Sequence, residues 1–147
     1  LKSEDKIQTL FLAVSRNNLK DIEQLIDGGV DINSQEARFK RTALHIACVN
    51  GLTKLADLLI KKGANLNLLD YNRMTPLMCA CSTGKKKGSQ IALQLMRSGA
   101  DVSYVRDDDM AAINFAVWGN CSQEVFELLI SKGAKPPGAD FVNVQTY

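Results

Sequence analysis

The sequence predicts an all-α solenoid, in which short helix pairs stack side by side and hairpin loops join them. Three observations carry this prediction. Gly29, Gly63, Gly99 and Gly133 recur at near-constant spacing, each preceded four residues earlier by Leu25, Leu59, Leu95 or Leu129. Upstream in each unit, Ala13, Ala47, Ala80 and Ala116 follow Leu10, Leu44, Leu77 and Ile113 by three residues. Thr42 and Thr75 lie 33 residues apart, a period that marks an array of supersecondary units.

Leucine at i and alanine at i+3 share one helical face, so each unit opens with a short helix bearing a narrow apolar stripe. The alanines allow neighbouring first helices to approach closely. The second helix carries a broader stripe, as in Leu55, Leu58 and Leu59. Each recurring glycine then stands where a left-handed residue ends the helix without a Cβ clash. No single pair is apolar on enough sides to fold alone, and stacking makes the core continuous.

Two units state the pattern most fully. One reads Thr42-Ala43-Leu44-His45-Ile46-Ala47, then Leu58-Leu59-Ile60-Lys61-Lys62-Gly63-Ala64-Asn65-Leu66-Asn67. The other reads Thr75-Pro76-Leu77-Met78-Cys79-Ala80, then Gln94-Leu95-Met96-Arg97-Ser98-Gly99-Ala100-Asp101-Val102. On these residues the chain resembles the ankyrin-repeat family. The resemblance implies about four helix-turn-helix repeats, at 2–33, 34–69, 70–104 and 105–136, within one domain covering 1–147.

Copy one lacks the Thr-Pro-Leu-His line and starts on the polar run Lys2 to Lys6, which fits a water-facing end-cap. In copy two, Thr42 reads as a helix N-cap. The family's usage assigns His45 a structural bond to loop backbone rather than chemistry. Copy three has Thr75 as cap and Pro76 at the first helical position, where a missing N–H does no harm. Its Gly84-to-Gly99 interval is 15 residues, against 12 for Gly51 to Gly63, and the excess falls at Lys85-Lys86-Lys87-Gly88-Ser89. Three lysines and a glycine extend no apolar stripe, so an enlarged, solvated loop is expected there. Copy four is the most degenerate, with Ala111-Ala112 for Thr-Pro, Asn114 for His, and Asp109 where glycine is usual two residues before the cap. Lys135-Pro136-Pro137-Gly138 cannot continue a helix. Residues 137–147 are read either as a lid on the last pair or as the start of a further repeat.

Composition narrows the function. With 18 basic and 16 acidic residues the net charge is +2, which gives no global argument for nucleic acid or an anionic membrane. No apolar run approaches a membrane span. Starting at Leu1 and ending at Tyr147, the chain is read as an excised piece. Cys48, Cys79, Cys81 and Cys121 lack zinc-site spacing, and His45 is the sole histidine, so no metal or cofactor is expected. The cysteines are expected to be small buried helix residues in a reducing, intracellular setting, cytoplasmic or nuclear. Without a nucleophile elbow, a phosphate-cradling loop or facing carboxylates, the module is expected to be no enzyme.

The resemblance places partner binding on the concave side, built from hairpin tips and the outer residues of the first helices. Carried over by position, the candidates are Arg38, Phe39, Arg41, Asn50, Tyr71, Asn72, Met74, Ser82, Thr83, Asp107, Asp108, Met110 and Trp118. Trp, Tyr, Met and Arg are the types enriched at interfaces. Arg38 and Arg41 at one end and Asp107 to Asp109 at the other suggest a partner segment acidic opposite copy two and basic opposite copies three and four. The expected partner is another protein or peptide met by a monomer. The alternative is a structural spacer in a larger assembly, or in an enzyme whose active domain lies outside these residues. By resemblance alone, Asn33 and Asn67 fall in a slot that can be hydroxylated.

Overall fold

The computed structural model describes residues 2–136, and these form eight helices with no strand longer than a single bridge between Val105 and Ala111. In chain order they are α1 (Ser3–Ser15), α2 (Leu19–Asp27), α3 (Ala43–Asn50), α4 (Thr53–Lys61), α5 (Pro76–Thr83), α6 (Lys85–Arg97), α7 (Ala112–Trp118) and α8 (Gln123–Ser131). The first helices α1, α3, α5 and α7 pack in one row and the second helices α2, α4, α6 and α8 in another. The core lies between the rows. Its floor is the repeating set Leu10, Leu44, Leu77 and Ile113 with Ala13, Ala47, Ala80 and Ala116, all buried. Leu55, Leu59, Ile91, Leu95, Val125 and Leu129 close it from the second row. The predicted solenoid of helix pairs is the fold observed.

The recurring glycines end every second helix in the same way. Gly63 takes a left-handed φ of 87°, its N–H reaches the Ile60 carbonyl, and the Ala64 N–H reaches the Leu59 carbonyl at 3.0 Å. Gly29, Gly99 and Gly133 repeat that double closure, which satisfies carbonyls the helix leaves open. At the helix starts, Thr42 accepts from the His45 N–H and Thr75 from the Met78 N–H, with Pro76 at the first helical position. Ala111 has no such oxygen, and only the reverse half of the cap survives, the Asn114 Oδ1 accepting from the Ala111 N–H at 2.9 Å.

Two expectations are overturned. Lys85 to Ser89 form no loop: they are the first turn of α6, which at 13 residues is longer than the nine-residue α2, α4 and α8. The reason is close backbone packing. A Cβ on Gly84 would collide with the Gly119 carbonyl, one on Gly119 with the Cys81 carbonyl, and one on Gly88 with the Ala80 carbonyl. With glycine at these points α6 begins directly after α5, and the Lys85 N–H donates to Gly119 at 3.0 Å. Cys121 is buried as expected but sits in the turn between α7 and α8, not on a helix. The alternatives for 137–147 concern residues outside those described.

Candidate functional site

The hairpin tips are built by carboxylates that gather backbone donors. Glu36 accepts from the N–H groups of Arg38, Phe39 and Arg41 at 2.9, 2.6 and 3.2 Å. Partial burial pushes its pKa up, but those donors outweigh burial and hold it below the ordinary value. In the next tip the buried Asp70 does the same for Asn72 and Met74, at 2.8 and 3.0 Å. The third tip has Arg106 in that slot. Its guanidinium instead donates to Asp108 at 2.8 Å and to the Met74 sulfur at 3.0 Å, and lies 5.5 Å from the Phe115 ring centre. The last residue but one of each tip, Lys40, Arg73 and Asp109, carries a left-handed φ of 53°, 58° and 64°.

Copies are stitched together at these tips. The Tyr71 N–H donates to the Phe39 carbonyl at 2.8 Å. His45 is fully buried and accepts the Thr42 N–H at Nδ1, which leaves Nε2 protonated to donate to the Met74 carbonyl at 2.9 Å. Burial lowers its pKa, although the Met74 carbonyl favours the charged form. This is the structural role expected of it. Asn33 and Asn67 form a second ladder, each Oδ1 accepting a backbone N–H of the next copy, from Asn65 and Asp101 at 2.8 and 2.9 Å.

Two clefts lie between the tips and the first helices. One, of 260 Å³, brings together Arg41, Asn72, Met74, Ser82 and Thr83 with Asp70, Val49 and Cys79. The other, of 440 Å³, gathers Phe39, Arg41 and Asn50 with Phe11, Val14 and Glu36. Arg41 divides them. It lies 3.8 Å from Asp70, and its Nε is buried without a hydrogen-bond partner. Arg38 and Arg41 stand 4.9 and 5.2 Å from the centre of the half-exposed Phe39 ring. Burial pushes the Cys79 thiol up to about 12, so it is an inert wall.

Tyr71, Asp107, Asp108, Met110 and Trp118 sit outside the clefts. Tyr71 and Trp118 are 71% and 67% exposed, and Trp118 meets Phe115 edge-to-face at 5.8 Å. Met74 and Met110 are half-buried against the core. Asp107 lies 3.7 Å from Arg73, and Asp108 pairs with Arg106. The hydroxyl of Thr83 is already committed, donating to the Cys48 carbonyl at 2.8 Å. Sequence reasoning left out Asp70 and Arg106, which organise the second and third tips. Both stand seven residues after a recurring glycine, Gly63 or Gly99, and that register would have found them.

A family model of ankyrin repeats in three copies matches residues 10–106. The chain belongs to the ankyrin-repeat family. Ankyrin repeats are generally protein–protein interaction modules, and the family is generally non-catalytic. Among similar proteins, the chicken nuclear factor NF-kappa-B p105 subunit is 34% identical over 102 residues, 69% of this chain and 10% of that protein. The mouse protein phosphatase 1 regulatory subunit 12A is 36% identical over 73 residues, covering 50% of this chain and 7% of its own length. The putative ankyrin repeat protein FPV031 of fowlpox virus is 30% identical over 132 residues, 86% of this chain and 38% of that one. The chain thus spans about a tenth of the first two relatives. The family match stops at Arg106, before the helix pair α7 and α8 whose Thr-Pro and His are replaced. Among the described residues no helix is long and apolar enough to cross a membrane, and no cluster of His, Cys, Asp and Glu could hold a metal.

Proposed function

We propose that this ankyrin-repeat protein recognises an extended segment of another polypeptide along its concave side, the face of hairpin tips and first-helix ends. It acts there as a monomer, inside the cell, and as a binding part without catalysis of its own. The observation that carries the reading is the exposure of Tyr71, next to Asn72 of the smaller cleft, and of Trp118 on α7, the last of the first helices. Large aromatic side chains left uncovered next to concave surface are what a partner uses as anchors. Arg38, Phe39 and Arg41 would hold one end of the segment, and Asn50, Asn72, Met74, Ser82 and Thr83 would line its middle. Asp107, Asp108, Met110 and Trp118 would receive the far end. A partner cation there must compete with Arg73 and Arg106 for the carboxylates, so stacking on Trp118 carries more of the contact than charge does.

The test is a peptide-library selection on the purified protein, followed by calorimetry on the recovered motif. Combined Tyr71→Ala and Trp118→Ala is expected to weaken binding about tenfold or more, and Asp107→Asn with Asp108→Asn by less. Undiminished affinity in the aromatic variant would remove the face from consideration.

A further inference from the structure

The three lysines of α6 form a charged surface that the proposed groove does not use. Lys85, Lys86 and Lys87 are consecutive, exposed, and rigidly presented by the extra helical turn wedged beside Gly51 and Gly119. A Cβ added to Gly51 would sit 3.2 Å from the Lys87 Cβ, so Lys87 overlies the turn that leads into α4, whose first turn holds Lys54. Four exposed lysines are therefore carried where the chain passes from first to second helices in copies two and three, Lys85, Lys86 and Lys87 fanning round the start of α6 and Lys54 standing at the start of α4.

None of the four is within salt-bridge distance of a carboxylate among the described residues, whereas the cations at the opposite ends of α4 and α6 are neutralised. Lys61 pairs with Asp57, Lys62 with Asp27 and Glu23, and Arg97 with Glu124. On α4 and α8, Asp57 and Glu124 are thus taken by Lys61 and Arg97. Cations in the first turn of a helix stand unfavourably at its positive end.

We propose that this turn is a second docking surface, separate from the groove, for an acidic segment of a partner polypeptide. The patch is one or two helical turns across, which suits a few consecutive carboxylates. Gly51, Gly119, Asn120 and Gln90 beside it carry no ring to stack bases and no apolar side chain to enter a bilayer, and the exposed ring of Trp118, which precedes Gly119, is set edge-to-face against Phe115.

The experiment uses the whole 147-residue protein and a fluorescent octaglutamate peptide, with anisotropy read at low and at physiological salt. Lys54→Gln, Lys86→Gln and Lys87→Gln together should weaken binding about tenfold, while circular dichroism stays unchanged. Lys20→Gln with Lys132→Gln, exposed lysines away from this turn, should leave the peptide's affinity as it was. A fall in affinity that comes from Arg38→Gln with Arg41→Gln and not from the lysine variant would place the peptide in the groove and overturn the proposal, while the peptide-library test of the groove can fail without touching this one. If the combined variant loses helicity, Lys86→Gln by itself should still lower affinity at unchanged fold. Equal peptide binding by wild type and lysine variants overturns the proposal. So does a preference for oligo(dT) or for phosphatidylserine vesicles over the peptide.

Discussion

His45 shows how much one side chain can organise when it is buried with both ring nitrogens in use. It joins the start of α3 to the tip that follows, through the Thr42 N–H and the Met74 carbonyl. Replacing it by alanine leaves two backbone groups unpaired and a void, at a cost of roughly 2–4 kcal/mol by denaturant unfolding. It also gives the fold a pH dependence whose sign is fixed. The buried ring titrates below its ordinary value of 6.5, so between those two pKa values the unfolded chain binds more protons than the native one. The contribution of His45 is complete above about pH 6.5 and falls as pH drops below it, by up to about 1.4 kcal/mol per unit. No other histidine contributes, and the carboxylates with lowered pKa titrate further down. In urea unfolding between pH 5 and 7, His45→Gln should flatten this slope. A slope that persists in that variant would assign it to another group.

At the scale of helices, the difference between what the sequence disclosed and what it hid is physical. The helix ends were legible because threonine caps and terminal glycines act within one turn of their own position. Copy four lost its threonine, and the backbone still holds Ala111 at φ −113° and ψ 173°, the extended geometry a cap residue needs. Ala111→Thr should therefore supply the missing acceptor and raise stability by about 1 kcal/mol, read from the unfolding midpoint. The lysine turn was not legible. Its apolar stripe is missing and its glycines read as a break, because what makes it helical is the backbone of α7, more than thirty residues away. Glycine there is a packing requirement. Gly119→Ala would drive a methyl group into the Cys81 carbonyl, and separating α5 from α7 should cost about 3 kcal/mol or more. A Gly119→Ala protein as stable as the wild type would refute that account of why α6 starts where it does.

For the whole array, the stacking of copies was readable from a 33-residue period, while the electrostatics of the candidate face were not. Position placed Asp107 and Asp108 on the tips, but only the fold reveals that Arg73 and Arg106 reach them first. The same nearest-neighbour construction predicts how the array opens. The α3–α4 and α5–α6 pairs are covered on both sides by other described helices, and α1–α2 and α7–α8 on one side each. In a stack whose stability is a sum of unit and interface contributions, the end units open at lower free energy than the middle. The α7–α8 pair has the further handicap of its missing cap. Native-state hydrogen exchange should therefore find the greatest protection in α3 to α6, with α7 and α8 exchanging earlier by a sub-global opening. Ala111→Thr should slow exchange in α7 and α8 while leaving α1 and α2 unaffected. Identical opening free energies across all eight helices would instead mean that the interfaces are strong enough to make the array a single cooperative unit.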